Sequence, residues 1–197
     1  MWNAGRRGRT RSCRDPRRRL GVDDTVLHRV AGRRHDAEPG GVYRREDLDL
    51  LELEANSADH VFSSLAPHYV RDLDRLIAQI AGAMRPGGSL VFSVEHPIYS
   101  APTNQSFVTT DGGDRVWPLD NYLVEGERTR TWFVDGVIKQ HRTIATYVNT
   151  LVAVGLTVEQ LVEWGPTAAA IEARPELAED LDRPWFLLLR ADKPGEG

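Results

Sequence analysis

The stretch that most constrains the fold of this chain runs from Val42 to Pro97. In order, it reads as a short strand, an acidic turn, a strand, a capped helix, a Pro-Gly-Gly turn and a further strand. Strands that alternate with helices of this length indicate a parallel sheet with helical crossovers. Because small molecules bind at the carboxyl ends of the strands in such a sheet, the residues that follow each strand are the first candidates for function.

Local signals predict two strands and one helix within this stretch. Ser89–Val94 is short and largely apolar, as buried parallel strands are. In Ala58–Ser63, Val61 and Phe62 fit such a strand, whereas His60 does not. The segment between them, 72–84, carries apolar residues at helical spacing, and Asp72 is its predicted N-cap. A Pro-Gly-Gly triplet at 86–88 predicts a turn that ends the helix.

The carboxyl-side half of the chain predicts a second helix and a closing pair of strands. Thr143 is the expected N-cap of a helix that ends at Gly155. The segments 156–164 and 185–190 are predicted to pair in antiparallel fashion. Ile98–Gln140 is long, polar and rich in aromatics, which is typical either of a lid or of a surface hairpin that packs its own aromatics.

Length and composition indicate one soluble α/β domain. The 197 residues are 41% hydrophobic and 27% charged, and the single cysteine excludes an internal disulfide. No apolar run approaches the roughly 20 residues of a membrane-spanning helix, so we expect a cytoplasmic protein without a membrane partner. Residues 1–45 hold 13 Lys and Arg against 5 Asp and Glu, whereas the rest hold 12 against 24. The acidic body disfavours binding to a nucleic-acid backbone, and only the N-terminal arm has the charge for it.

Eight short segments occur in a fixed order along the chain. They are RREDL at 44–48, ADHVFSSLAPHYV at 58–70, MRPGGSLVFS at 84–93, EHPIY at 95–99, WPLDNYLVEG at 117–126, KQHRT at 139–143, LVEWGP at 161–166 and PWFLLLRA at 184–191. Together they resemble the carboxyl-side half of the class I S-adenosylmethionine-dependent methyltransferase core. The resemblance implies an α/β fold with a Rossmann-like, mostly parallel sheet whose last strand is antiparallel, incomplete at its N-terminal side. It also implies S-adenosyl-L-methionine as cofactor and methyl transfer to a small-molecule acceptor.

The same resemblance assigns cofactor contacts to three places in the chain. Asp23, at the end of LGVD, matches the acid that binds the ribose hydroxyls, although it also fits an ordinary helix N-cap region. Asp47 matches the acid that receives the adenine amino group, and the backbone N–H of Leu48 matches the donor to a ring nitrogen. A solvated acidic turn is the alternative there. The methionine part of the cofactor is expected along Ser63, Ser64 and Leu65.

Candidate catalytic and substrate-binding residues follow the strands predicted at 58–63 and 89–94. His68 is the best candidate for a general base, because the ordinary pKa of histidine lies near neutral pH. A capping or orienting histidine is the alternative, since many enzymes of this class need no base. Glu95 and His96 emerge at the end of the second strand, where they could contact a substrate. His96 belongs to no spaced set of His, Asp and Glu, so no metal site is predicted.

Further candidates lie in the aromatic segment and at the start of the second helix. Trp117 and Tyr122 are expected to contact an apolar or planar acceptor if the segment 98–140 is a lid. Lys139, His141 and Arg142 are placed to close over the cofactor pocket, although a solvated helix entry fits them as well.

Residues 1–19 are set apart from the predicted partial methyltransferase domain at 20–197 by eight arginines without periodicity. They fit an arm that binds nucleic acid or another anion, a transit-like leader, or a disordered segment. The resemblance adds a fourth interpretation. The family has a strand and a glycine-rich turn here, whereas this sequence has NAGRRGRTRSCRD, which indicates a truncated or out-of-frame gene start.

The sequence contains no Walker loop, no Gly-x-Ser-x-Gly elbow and no Cys-His pair, so hydrolase and nucleotidase functions lose their usual support. Methyl transfer demands little of side chains beyond alignment of the acceptor and exclusion of water. Two alternatives stay open at this stage. One is an inactive methyltransferase-like binding or regulatory protein whose arginine arm contacts nucleic acid, and the other is a truncated gene product.

Overall fold

The computed structural model describes residues 45–132 and 134–195. The candidate Asp23, the arginine-rich segment and the strand predicted before Arg45 lie outside the described residues. Among those described, no helix has the length and apolar character needed to cross a membrane. In chain order the elements are β1 (Ala58–Ser64), a 3₁₀ helix (Pro67–Tyr69), α1 (Leu73–Ala83), β2 (Met84–Glu95), α2 (Pro97–Ser100), β3 (Val108–Thr109), β4 (Arg115–Val116), β5 (Gly126–Trp132), β6 (Val134–His141), α3 (Ile144–Ala153), β7 (Thr157–Glu163), α4 (Ala168–Ala173), a second 3₁₀ helix (Pro175–Leu181) and β8 (Phe186–Asp192).

The main sheet has the strand order β1-β2-β8-β7. β1 and β2 are parallel and are joined by the crossover helix α1, whereas β8 runs antiparallel to both of its neighbours. This arrangement confirms the predicted α/β class, the parallel pairing of β1 with β2 and the antiparallel last strand. It also brings the carboxyl ends of β1 and β2 to one edge, where the predicted acceptor residues lie.

The helix α1 forms where its sequence signals predict. The Asp72 side chain accepts a hydrogen bond from the backbone N–H of Arg75 at 2.9 Å and so caps the first turn. The apolar stripe of α1 is buried against the sheet, and so is that of α3. The predicted Thr143 cap of α3 is also confirmed. The core lies between these helices and one face of β2, with Phe92 near its centre. Replacing a buried phenylalanine with alanine costs about 3–5 kcal/mol.

The Pro-Gly-Gly triplet follows the end of α1 at Ala83, as predicted, but it lies within β2, which begins at Met84. Gly87 adopts a φ of +77°, and the register against β1 shifts here from Ala58–Met84 to His60–Ser89, so the triplet forms a sharp bend in the strand. The pairing continues through Gly87 and Gly88, whose backbones exchange hydrogen bonds with Lys193 at 2.9 and 2.8 Å. A Cβ atom at Gly88 would lie 2.8 Å from the carbonyl oxygen of Arg85 and 2.9 Å from that of Asp59, so only glycine fits there.

The long segment after β2 contains two hairpins, β3–β4 and β5–β6. Its aromatic side chains pack on one another: the ring of Trp117 stacks on that of Tyr99 at 5.8 Å and meets that of Phe107 edge-on at 5.3 Å. The hairpin β5–β6 is connected to the end of β2 through a pair of buried charges, Lys139 and Glu95. The segment therefore packs its own aromatics as a surface hairpin does, and it also reaches the edge of the sheet where the site is predicted.

Candidate functional site

The carboxyl end of β1 has a strained backbone. Leu65 adopts a φ of +52°, which costs roughly 1–2 kcal/mol in a residue with a side chain. Its N–H is held by two acceptors of Ser93 on β2, the carbonyl oxygen at 3.0 Å and the hydroxyl oxygen at 3.1 Å. Ser63 is buried and Ser64 is exposed just before this bend. Strain of this kind concentrates at ligand sites, and this bend lies where the methionine part of the cofactor was predicted.

The acidic turn at 46–50 lies next to the start of α1. Asp47 is exposed, and its side chain accepts the N–H of Asp49 at 2.9 Å. Leu48 is 8% exposed and packs in the core, which fixes the turn against the helices. The Asp49 carboxylate accepts the backbone N–H groups of Arg71 and Asp72, at 2.9 and 3.3 Å. The two predicted adenine contacts therefore lie on a turn that is fixed on both sides.

The polar groups of this turn fit the adenosine end of the predicted cofactor. Within residues 45–132 and 134–195, the Leu48 N–H and the second carboxylate oxygen of Asp47 make no hydrogen bond. One donor and one acceptor on adjacent residues match the ring nitrogen and the amino group along one edge of adenine. The ribose contact expected from Asp23 lies outside the described residues.

His68 is buried in the 3₁₀ helix after β1, with 3% of its surface exposed. Its Nδ1 accepts the backbone N–H of Glu95 at 3.3 Å. Burial, followed by the charges of Lys139 and Arg142, lowers the pKa of His68 to about 3. An imidazole that stays neutral far below pH 7 is a weak base, so the geometry favours the orienting role over general-base catalysis.

The carboxylate of Glu95 forms a buried ion pair with Lys139, whose side chains are 8% and 5% exposed. The Lys139 ammonium also lies 5.7 Å from the centre of the Tyr69 ring. Burial and the nearby Glu95 raise the pKa of the Tyr69 hydroxyl, so it stays protonated at neutral pH. A buried ion pair of this kind often contributes little net stability, because the cost of removing both charges from water offsets their attraction. The sequence identified both residues as candidates but gave no signal that they pair.

His96, a predicted substrate contact, is fully buried. Its Nδ1 accepts the N–H of Ile98 at 3.1 Å, and its Nε2 lies 2.9 Å from the Glu163 carboxylate on β7. Burial lowers the pKa of His96, although the hydrogen bond to Glu163 opposes this. Both ring nitrogens therefore connect the end of β2 to β7.

His141 is also fully buried, and it joins the hairpin to the segment after β2. Its ring nitrogens lie 2.8 Å from the Ser100 hydroxyl and 2.9 Å from the carbonyl oxygen of Tyr122. Burial is the main cause of its lowered pKa. The phenol oxygen of Tyr122 accepts the N–H of Ile144 at 3.4 Å. His141 and Tyr122 therefore hold the start of α3 in place.

Trp117 belongs to an aromatic cluster around Arg183 that the sequence did not reveal. The guanidinium carbon lies 5.0 Å from the ring centre of Trp117 and 4.0 Å from that of Trp185. Tyr99 also flanks it at 5.4 Å, and Asp180 neutralises it at 2.9 Å. The cluster fastens the β3–β4 region to the segment before β8. Arg183 gave no sequence signal, because all its rings except that of Trp185 come from distant parts of the chain, at Tyr99, Phe107 and Trp117.

A polar cleft of about 630 Å³ opens beside the acidic turn. It includes none of the acceptor-side candidates Glu95, His96 or Trp117. Among the residues described, no group of three or more His, Cys, Asp or Glu could hold a metal ion. The cleft is lined by Asp49, Leu50, Arg71, Asp72, Leu73, Asp74, Arg75, Glu125, Arg142 and Thr146.

Comparison with known proteins identifies the family. A methyltransferase domain family matches residues 14–92. An S-adenosylmethionine-dependent methyltransferase from Mesorhizobium loti is 49% identical, with a TM-score of 0.74 over 80% of this chain and 72% of that one. A protein from Listeria monocytogenes assigned to the same activity is 31% identical, with a TM-score of 0.69 over 80% and 71% of the two chains. The chain therefore belongs to the class I S-adenosylmethionine-dependent methyltransferases.

Two curated relatives are similar over shorter parts. An uncharacterized protein of Haemophilus influenzae is 33% identical over 147 residues, which are 73% of this chain and 57% of that protein. The malonyl-[acyl-carrier protein] O-methyltransferase of Laribacter hongkongensis is 29% identical over 102 residues, or 51% of this chain and 34% of that enzyme. The chain thus spans about half or less of the length of these relatives.

Proposed function

We propose that this chain transfers the methyl group of S-adenosyl-L-methionine to a small-molecule acceptor. The observation that carries the proposal is the left-handed Leu65 at the end of β1, beside the buried charges at the end of β2. Family membership gives the cofactor, and the strained bend marks the edge of the sheet where ligands bind in α/β folds. The acidic body, with 24 Asp and Glu against 12 Lys and Arg after residue 45, favours a small acceptor over a nucleic acid.

In this proposal the described residues bind, orient and exclude water. Asp47 and Leu48 would hold the adenine, and the bend at Ser63–Leu65 would support the methionine part. The bound cofactor supplies a methyl group on a sulfonium, which an acceptor displaces without covalent help from the protein. Alignment of the acceptor is then the main contribution of the chain.

Two further features support a chain that orients the acceptor and excludes water. The neutral His68 fixes the backbone of Glu95 and therefore the position of the ion pair. The packed aromatics around Trp117 hold the segment over this edge of the sheet, where they would limit access of water. With a pKa of about 3, His68 is not suited to take the proton of an acceptor, so that proton would leave to solvent.

The experiment that tests the proposal is calorimetric titration of the purified chain with S-adenosylhomocysteine. We expect micromolar affinity, because transferases of this kind bind their cofactors near physiological concentrations. Asp47→Ala should weaken binding by about tenfold or more, which corresponds to the loss of about 1.4 kcal/mol or more. Asp59→Ala is the matched control, since Asp59 is an acid at the opposite end of β1 that pairs with Arg85. A folded chain that does not bind, or equal losses in both variants, would contradict the proposal.

A further inference from the structure

The hairpin β5–β6 has one strongly basic face. Arg128 pairs with Lys139 and Arg130 pairs with Val137 in the antiparallel register. Directly opposed residues of such a pair share a face, and so do residues two apart on one strand. Arg128, Arg130 and Lys139 therefore lie on the same face, together with the buried Val137. We call these three cations the basic hairpin face.

The basic hairpin face packs against the segment that follows β2. Lys139 pairs with Glu95, the last residue of that strand. The Arg130 guanidinium donates to the carbonyl oxygens of Ser100 and Pro102, at 3.1 and 2.7 Å. Glu95 lies two residues beyond Ser93, the partner of Leu65, which is about 7 Å along the strand. The cations are therefore near the edge where the acceptor is expected.

The carboxylates near this face do not balance its charge. Glu95 is paired with Lys139, and the nearby Asp120 is exposed and hydrogen-bonded to Thr103 at 2.8 and 2.9 Å. In the part of the chain that the structure describes, neither Arg128 nor Arg130 forms an ion pair with a carboxylate. Their hydrogen bonds go to neutral carbonyl oxygens, those of Val124 and Glu127 in the case of Arg128 and those of Ser100 and Pro102 in the case of Arg130.

Arg130 has a buried donor that is not paired. Its Nε has no hydrogen-bond acceptor among the described residues, a state that it shares with Nη1 of Arg75, Nε of Arg183 and Nε2 of Gln140. A buried donor without a partner costs about 1–3 kcal/mol, so each such atom calls for an explanation, and a bound ion is one of them. Burial, followed by the charge of Arg128, also lowers the pKa of Arg130, whereas Glu95 raises it. An anion beside Arg130 would satisfy its Nε and relieve the repulsion between the two guanidinium groups.

We propose that the basic hairpin face binds the carboxylate of a small acidic acceptor, so that the substrate class of this enzyme is carboxylic acids. A guanidinium binds a carboxylate through charge-assisted hydrogen bonds, and the unpaired Nε of Arg130 is the donor that a carboxylate would satisfy. The rings of Tyr69 and Tyr99, whose hydroxyl pKa values are both raised by burial and by Glu95, flank the ion pair as neutral walls. This inference rests on the proposed methyl transfer for the identity of the ligand as an acceptor.

The test compares a carboxylic acid with its uncharged amide. Phenylacetate and phenylacetamide have nearly the same shape, and saturation-transfer NMR detects their weak binding to the full, cofactor-free chain. We expect the acid to bind about tenfold more tightly, since each tenfold in affinity corresponds to about 1.4 kcal/mol. Arg130→Met should abolish this preference, and Arg130→Lys should keep part of it because the charge remains. Arg85→Met, which removes an exposed arginine at the opposite end of β2, should keep all of it.

Folding and the proposed function are controlled separately. Far-UV circular dichroism and melting curves identify any variant that does not fold, and Arg128→Met provides a second removal of charge from the same face. Equal binding of acid and amide, no binding of either, or a preference that survives in folded Arg130→Met and Arg128→Met would overturn the inference. Because no cofactor is present, these outcomes are independent of the titration with S-adenosylhomocysteine. Failure of that titration alone would instead remove the methyl-transfer proposal and leave an acid-binding site.

Discussion

The Nδ1 atom of His68 accepts the backbone N–H of Glu95 at 3.3 Å, in an environment from which water is excluded. The hydrogen bond requires that Nδ1 carry no proton. Burial and two nearby cations keep the ring neutral, since they lower the pKa of His68 to about 3, and the hydrogen bond then places the remaining proton on Nε2. One side chain thus couples the 3₁₀ helix after β1 to the end of β2, and it does so only in the neutral state.

This coupling predicts a loss of stability in mild acid. The unfolded chain binds a proton at His68 below about pH 6.5, whereas the folded chain binds it only near pH 3. The unfolded state therefore holds more protons in that window, and the free energy of unfolding falls as the pH falls. Between pH 6.5 and 5, we expect the titration of His68 to lower the free energy of unfolding by about 2 kcal/mol. Urea unfolding at several pH values measures the slope.

The variant His68→Asn isolates this contribution, because the Asn oxygen can still accept a hydrogen bond but does not titrate. We expect a shallower slope than in the parent chain, with a remainder from His96 and His141, whose pKa values are also lowered. His60→Asn removes an exposed histidine from β1 and should retain the parent slope. Identical slopes in all three proteins would show that His68 does not titrate in this way.

The bend at Leu65 predicts an unusual order of stability among substitutions. A φ of +52° is accessible to glycine without steric penalty but is unfavourable for a β-branched side chain. Leu65→Gly should therefore be more stable than Leu65→Val by about 1–2 kcal/mol. At an ordinary strand position valine would be the more stable of the two. Equilibrium urea unfolding of both variants decides the order, and a more stable valine variant would contradict the strain.

The elements with local signals could be predicted from the sequence. The Asp72 cap and the apolar stripe of α1 are set by residues within a few positions of one another, and so is the Thr143 cap of α3. The bend at Gly87 could also be predicted, because its φ of +77° is one that glycine adopts readily. Its position inside β2 could not, because the strand continues there through hydrogen bonds with Lys193, which is more than 100 residues away.

In the candidate site too, local features could be predicted from the sequence and long-range contacts could not. Positions at the ends of strands could be predicted, because the carboxyl edge of a parallel sheet collects them whatever their side chains contact. The contacts themselves could not, since Glu95 and Lys139 are 44 residues apart and the Arg183 cluster draws rings from three segments. His96 and His141 illustrate the consequence. Their type suggested ligand contact, whereas the structure uses both as buried braces between elements.

The Arg183 cluster predicts that one arginine fastens the aromatic segment to the body of the protein. Arg183→Met should lower the free energy of unfolding by about 3 kcal/mol, because it leaves the Asp180 carboxylate buried without its cation. Arg183→Lys keeps the charge but loses the planar stacking on Trp117 and Trp185, so we expect a loss of about 1 kcal/mol. Arg190→Met breaks an exposed pair and should cost less than about 1 kcal/mol. Tryptophan fluorescence during urea unfolding follows all three, and equal losses in Arg183→Met and Arg190→Met would show that the cluster is not a fastening point.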